Sequence, residues 1–320
     1  MPQPSIPMQI EISGDVTIGI AAHNGAAVTK LALDCLFHAV RDSQYELILV
    51  NDASTDDTAK LFAWAASIHK PTRIFEFKQN LDYVHSVNAI LSHAQGQRIV
   101  FLSNDYLVSP AWLRKTLASL DQDPSNGIVT GVSNFCDNMN SPTRNLLNPR
   151  FGINGANELY AFAHGVASAF ETRPLIHDPY FVGDAFVVTR EVLKRVGTFD
   201  TRFVGYVADL DFSIRCRKSG LAVVTNQSAF AYHMHGANFS NVNDEARESR
   251  IQARLARVFR AFNQFIHKYQ LGDVVSERQE HGPIPESDLI AAATHAQQRI
   301  REDQVFVAPI SYEPFETRSP

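Results

Sequence analysis

Four short segments carry residue types that could act together chemically. The first, Asn51, Asp52, Ala53, Ser54 and Thr55, follows the apolar run ELILV at 46–50. A carboxylate at the end of a buried strand and beside a helix start can accept hydrogen bonds from a base or a sugar; it can equally be a turn and capping group. The second, Ser103, Asn104 and Asp105, follows the apolar run RIVFL. One carboxylate there can hold a divalent cation across two phosphates, because magnesium and manganese accept few protein oxygens and leave positions for phosphate and water. An ordinary strand-to-helix turn also uses Asp at such a place. The third is Asp209 and Asp211 in VADLDFSIRCRKSG, a helix opening where the backbone dipole favours negative charge. Asp211 stands four residues before Arg215 and is expected to pair with it on the helix surface. That leaves Asp209 for another role, such as taking a proton from an attacking hydroxyl as a general base, or for simple capping. The fourth is Tyr232, His233, Met234, His235 and Gly236. On an extended chain its two histidines point the same way, towards a metal or a phosphate, though paired histidines also serve structure. With no cysteine or acid close by in sequence, a self-contained zinc site is not expected there.

These segments need elements to position them. VTIGIAA at 16–22, ELILV at 46–50, TRIFEF at 72–77 and RIVFLS at 98–103 read as strands, and 27–40, 55–69, 84–95 and 110–120 carry apolar residues at helical spacing. This alternation predicts an α/β fold with a mainly parallel sheet flanked by helices. Ligands of such sheets lie beyond the carboxyl ends of the strands, where the first two segments fall. Ser54 with Asp57 reads as a capping box, and Ser109 before Pro110 as a cap with proline at the first helical position. The polar stretch 133–155 reads as a long loop. A helix near 156–170, the strand-like FVGDAFVV, the helix REVLKRV ended by Gly197, a helix ended by Gly220, and strands LAVVT and AFAY follow. Residues 243–269 form an amphipathic helix whose stripe, Ile251, Leu255, Val258, Phe259, Phe262, Phe265 and Ile266, should pack on the main domain. A further helical stretch covers 287–302. The expected division is a tail at 1–14, a catalytic domain at 15–240 and a C-terminal helical extension and tail at 241–320.

Composition excludes several classes. The 320 residues, 45% hydrophobic and 20% charged, suffice for a large buried core. A net charge of -5 argues against a nucleic-acid partner. Cys35, Cys136 and Cys216 are too far apart in sequence for a zinc or redox motif and fit a reducing compartment. The first fifteen residues do not resemble a secretion signal, and no apolar run is long enough to span a bilayer. A cytoplasmic location is expected, with a peripheral position at the inner membrane face left open. IAAHNGAA lacks the spaced glycines of a dinucleotide fingerprint, and residues 19–25 lack a lysine-bearing phosphate loop. These gaps argue against an oxidoreductase and a nucleotidyltransferase.

Taken in order from 15 to 240, several stretches resemble the family 2 glycosyltransferases of the A-type fold. They are VTIGIAAHN, LVNDASTDDT, NLDYVHSVNAI, FLSNDYLVSPAWL, GDAFVVTREVLKRVGTFDTRF, VADLDFSIRCRKSGL and AYHMHG. The resemblance implies a single A-type domain catalysing an inverting single displacement from a nucleotide diphosphate sugar, with a UDP- or dTDP-sugar as the expected donor. It implies that Ala22, Asn24, Asp52 and Asn104 line the nucleotide pocket, with Asp52 on the base. Asp105 and His233 would hold Mn2+ or Mg2+, which stabilises the leaving group, and Asp209 would be the general base. The acceptor, whether saccharide, lipid-linked or protein, would be chosen by 133–180 and the turn at Gly183 and Asp184. Tyr206 and Trp112 are candidates for stacking on sugar rings, with burial in the core the better reading of Trp112. The sequence departs from the family pattern at Ser103, where many relatives carry an acid, at Ala208, where glutamate often precedes the base, and at Asp82, where glycine is usual. Ser103 and Ala208 motivate the alternative, a non-catalytic nucleotide-sugar-binding protein on the same fold. Arg247, Arg250, Arg254 and Arg257 read as a solvated helix face or as a contact for an anionic lipid or acceptor.

Overall fold

The computed structural model describes residues 10–12, 14–40, 44–134, 156–234, 244–277, 284–302 and 309–312. Most of the expected loop at 133–155, along with Cys136 and His235, lies outside the described residues. The first half follows its apolar periodicity. Strands β1 (Val16–Ala22), β2 (Glu46–Asn51), β3 (Thr72–Glu76) and β4 (Arg98–Ser103) alternate with helices α1 (Ala26–Ala39), α2 (Thr58–Ile68) and α3 (Asp82–His93). These four strands are parallel, in the order β3-β2-β1-β4. Every residue of β2 is buried, as expected for a parallel strand covered on both faces.

The chain continues through β5 (Tyr106–Leu107), α4 (Pro110–Gln122), β6 (Asn126–Ser133), α5 (Ala156–Ala169), β7 (Ile176–His177) and β8 (Ala185–Thr189). After these come α6 (Arg190–Val196), α7 (Tyr206–Lys218), β9 (Ala222–His233), α8 (Asp244–Lys268) and α9 (Glu286–Arg301). Among the described residues the sheet extends from β4 through β8, β6 and β9 to β5, with β7 on β9. This half is mixed: β8 is antiparallel to both β4 and β6, while β6 and β9 are parallel. Because β8 opposes β4, with Leu102 facing Ala185, it begins at the sheet edge where β4 ends. The loop carrying Gly183 and Asp184 is thereby brought to the mouth formed by the parallel strands.

The period-two alternation of the strands divides the core. Ile48, Val50, Ile99 and Phe101 point to one face, where α3, α6, α7, α8 and α9 supply Val87, Val192, Phe212, Phe262 and Ala292. Leu47, Leu49, Val100 and Leu102 point to the other, against Leu33, Phe62, Leu113 and Tyr160 of α1, α2, α4 and α5. The result is a helix–sheet–helix arrangement. The stripe of α8 packs as expected from Val258 to Ile266, while Ile251 remains exposed. Helix α9 joins the same core as α7 through Ala292, Ala293, Ala296 and Ile300.

Several local expectations change. Helix α2 begins at Thr58 with Asp57 at its N-cap but without a side-chain cap bond; Asp56, one residue earlier, accepts from the Thr58 backbone N–H at 3.0 Å, so Ser54 and Asp57 form no capping box. Ser54 Oγ instead accepts from the Asn24 N–H at 2.8 Å. Ser109 does cap α4, accepting from Trp112 N–H at 3.1 Å ahead of Pro110. The expected strands LAVVT and AFAY merge into one twelve-residue strand, β9, which begins at Ala222, and β8 starts only at Ala185. The Asp211–Arg215 pair forms at 2.7 Å, but both side chains are buried rather than on a helix surface. Lys268 and Tyr269 close over Asp211 from the end of α8, which a local spacing argument could not show.

Candidate active site

The strand ends gather the predicted residues into one mouth. After β1, Asn24 adopts a left-handed φ of 60°. Its side-chain oxygen accepts from Thr55 N–H at 2.8 Å, and its carbonyl accepts from the Asn104 side-chain amide at 3.2 Å. Asn104 also donates to Thr29 Oγ1 at 2.9 Å. It therefore ties the β4 turn to the start of α1 and fixes the loop beside the expected nucleotide pocket. Ala22 is buried, and its carbonyl accepts the Asp52 N–H at 2.9 Å.

Asp52 is buried at the end of β2, with its carboxylate oxygens accepting from Leu81 N–H at 2.7 Å and Asp82 N–H at 2.9 Å. The start of α3 thus orients it. Burial pushes its carboxyl up to about 6, against the Leu81 N–H, the His23 ring and the Asp82 N–H. Asp82 itself has φ of 73°, which explains why glycine suits this position and shows that aspartate tolerates it here. Its carboxylate forms an ion pair with Arg257 of α8.

The β4 turn places Asp105 against β9. His233 Nε2 lies 3.5 Å from an Asp105 carboxylate oxygen, and His233 Nδ1 lies 3.7 Å from Asp184. Backbone contacts hold this group: Met234 N–H donates to Asp105 O at 2.9 Å, and Ser103 N–H to Asp184 O at 2.8 Å. Asn134 accepts the His233 N–H at 2.7 Å. Asp105 and His233 are buried, while the Asp184 side chain is 38% exposed and faces the mouth.

Asp209, in the first turn of α7, is 3% exposed. Its carboxylate accepts from the Tyr83 hydroxyl at 3.0 Å and from Gly183 N–H at 3.0 Å. A Cβ on Gly183 would lie 1.8 Å from the Tyr83 hydroxyl and 2.4 Å from Asp209, so this contact requires glycine. Burial raises the Asp209 carboxyl to about 8; the Gly183 N–H opposes this, Asp184's charge adds to it, and Tyr83 and Arg254 lower it. Asp184 therefore links the Asp105–His233 pair to Asp209 electrostatically. Tyr206, one turn before Asp209, is half-buried against the core, and Trp112 is fully buried. Ala208, beside Asp209 in the chain, is fully buried in the core.

Two contributors were not singled out by sequence reasoning. Tyr83 lay within the NLDYVHSVNAI stretch, but nothing local distinguishes it from a core aromatic. His23, whose Nδ1 is 2.6 Å from Asp52 O, adjoined Asn24 and carried only its proximity as a signal.

A family model, glycosyl transferase family 2, matches residues 17–197, more than half of the chain. The chain belongs to glycosyl transferase family 2. The matched span contains Ala22 through Asp184 of the mouth, while Asp209 and His233 lie beyond it. An uncharacterized glycosyltransferase of Haemophilus influenzae is 22% identical over 122 residues, 38% of this chain and 36% of that protein. Chondroitin synthase of Escherichia coli is 22% identical over 270 residues, 77% of this chain and 38% of that protein. The chain therefore spans less than two fifths of the length of these curated relatives. Among solved structures, the mannosyltransferase PcManGT from Pyrobaculum calidifontis in complex with GDP-Man and Mn2+ is similar with TM-score 0.56 and 20% identity, covering 94% of this chain and 77% of that one. The structure of TarS 1-349 from S. aureus is similar with TM-score 0.50 and 13% identity, covering 90% and 92%. At these identities the solved structures show that the fold is shared. Among the described residues, no helix of this family 2 chain is long and apolar enough to cross a membrane.

Proposed function

We propose that the chain is an inverting glycosyltransferase that moves a sugar from a nucleotide diphosphate donor to an acceptor hydroxyl, with Asp209 as general base. The observation that carries this reading is the buried Asp209 carboxylate, held by Tyr83 and Gly183 at the mouth where the family-matched loops converge. The acceptor oxygen attacks the anomeric carbon as the bond to the diphosphate oxygen breaks, and the acceptor proton passes to the Asp209 carboxylate. A raised carboxyl near 8 makes Asp209 a stronger base than an exposed aspartate, and the N–H of Gly183 aims it. Asp52 receives the nucleobase, Ala22 and Asn24 shape the pocket around it, and Asn104 holds that loop in place. Gly183, Asp184 and Tyr206 border the acceptor side.

The donor set at Asp105 and His233 fits a divalent cation, since it joins a carboxylate to an imidazole whose other nitrogen faces the Asp184 carboxylate. Among the described residues no three acidic, histidine or cysteine side chains close into a complete metal cage. A bound Mn2+ or Mg2+ would neutralise charge on the departing diphosphate. PcManGT was solved with GDP-Man and Mn2+, which supports a nucleotide sugar and a divalent ion here as well.

Release of nucleoside diphosphate from a panel of nucleotide sugars, with Mn2+ or Mg2+ and candidate acceptors, tests the reading. Metal-dependent release that is lost in Asp209→Asn and Asp105→Ala is expected. Donor binding without release in the parent would favour the non-catalytic binding protein, and binding to no donor would remove the nucleotide-sugar assignment.

A further inference from the structure

Residues 309–312 return to the body of the protein beside the donor side of the mouth. Ile310 forms a parallel bridge with Gly197. Thr198 N–H donates to Ile310 O at 2.8 Å, and Ile310 N–H donates to Val196 O at 3.2 Å. Gly197 has φ of 74°, and a Cβ there would lie 1.8 Å from Ile310 O, so glycine is needed for the two backbones to meet. The same stretch is clamped to α3, because Asn88 accepts the Phe199 N–H and donates to the Phe199 carbonyl, both at 2.9 Å. The segment is thus anchored over α3.

From that anchor Tyr312 reaches towards the start of α3. Its ring centroid lies 5.9 Å from that of His85, with the planes tilted by 59°. His85 follows within one turn of Leu81 and Asp82, whose N–H groups hold the Asp52 carboxylate. Burial, and then the Asp52 charge, push the Tyr312 hydroxyl up to about 12, in keeping with this placement. Among the described residues the Tyr312 hydroxyl is buried and has no hydrogen-bond partner. A buried hydroxyl without a partner is costly, and its cost falls when a ligand supplies one. The ring is half-buried, packed at the edge of the apolar core, and lies two residues past its last backbone anchor.

A nucleobase on Asp52 offers an aromatic face to the ring and a carbonyl or ring nitrogen to the hydroxyl. We propose that Tyr312 is a specificity-determining residue of the donor pocket, walling the nucleobase beside Asp52 and bonding its polar edge. The assignment rests on the reading of the chain as a nucleotide-sugar transferase. It makes the 309–312 segment part of the donor site instead of a surface strap.

Calorimetric titration of the full chain with UDP, dTDP, GDP, CDP and ADP, and with inorganic pyrophosphate, all in the presence of magnesium, tests it. The parent is expected to prefer one base. Tyr312→Phe should narrow that preference by about tenfold, the loss of one well-made hydrogen bond. Tyr312→Ala should weaken every nucleotide and spare pyrophosphate, because the ring faces the base and not the phosphates. Unchanged affinities and base ranking in both variants would overturn the Tyr312 assignment alone. So would equal losses for nucleotides and pyrophosphate, which a general loosening of the fold would cause. Absence of nucleotide binding in the parent would overturn the transferase reading together with it.

Discussion

Asp209 holds its position through two donors of different kinds, and they make separable contributions to the proposed chemistry. The Gly183 N–H is part of the backbone and fixes direction, whereas the Tyr83 hydroxyl can be removed with little change of shape. Asp209→Asn should lower transfer by at least about 100-fold while leaving donor affinity within about twofold of the parent, because only the proton acceptor is lost. Steady-state kinetics beside donor titration would check this; equal loss of both would place Asp209 in donor binding. Tyr83→Phe is the finer test. Its hydrogen bond lowers the Asp209 carboxyl, so losing it should move the acidic limb of kcat/KM, where the rate rises as the base loses its proton, from about 8 to a higher pH and depress turnover at neutrality. A pH–rate profile that superimposes on the parent's would show that Tyr83 does not tune the base.

Elements place these residues, and here the sequence was legible wherever apolar periodicity carried the information. The parallel strands and α1 to α4 follow from that periodicity, because strands buried on both faces and amphipathic helices write different spacings. Asp52 and Asp105 were visible for the same reason: each ends an apolar run. What was hidden depends on contacts distant in the chain. Asp211 reads as half of a surface pair, yet Lys268 and Tyr269, supplied by α8 and the residue after it, enclose it together with Arg215. The antiparallel entry of β8, which carries Asp184 to His233, likewise has no local signature. The enclosed cluster joins α7, which bears Asp209, to α8. Asp211→Ala would leave Arg215 buried without its carboxylate and should cost roughly 3–5 kcal/mol, read as a lower urea midpoint. A change below about 1 kcal/mol would mean that α7 and α8 are joined mainly by apolar packing.

Across the whole molecule, buried ionisable groups give stability a pH dependence of both signs, and the part set by Asp209 opposes the proposed activity. Burial works against the Asp200 charge, but Arg202 and Lys268 hold its carboxyl well below the usual range, so its stabilisation is present above about pH 4 and lost below it. Burial lowers His69 and His85, so their protonation in the unfolded chain removes stability as pH falls below about 6.5. Asp52 and Asp209 act the other way, because the native chain keeps protons that the unfolded chain has released. Their effect is a loss of stability as pH rises from about 4 to the native values near 6 and 8. Above the histidine range, among the described residues, Asp209 is the shifted carboxylate still titrating, with a limiting slope of about 1.4 kcal/mol per pH unit. The melting temperature should therefore fall between about pH 6.5 and 8 while kcat/KM climbs over the same interval. Asp209→Asn carries no titrating group at that position, so its melting curve should be flatter and lie above the parent's near pH 8, by roughly 1–3 kcal/mol of stability. Parallel melting profiles for parent and variant would mean that the Asp209 carboxylate reaches solvent in the native chain, and the strong buried base on which the transferase reading depends would be lost.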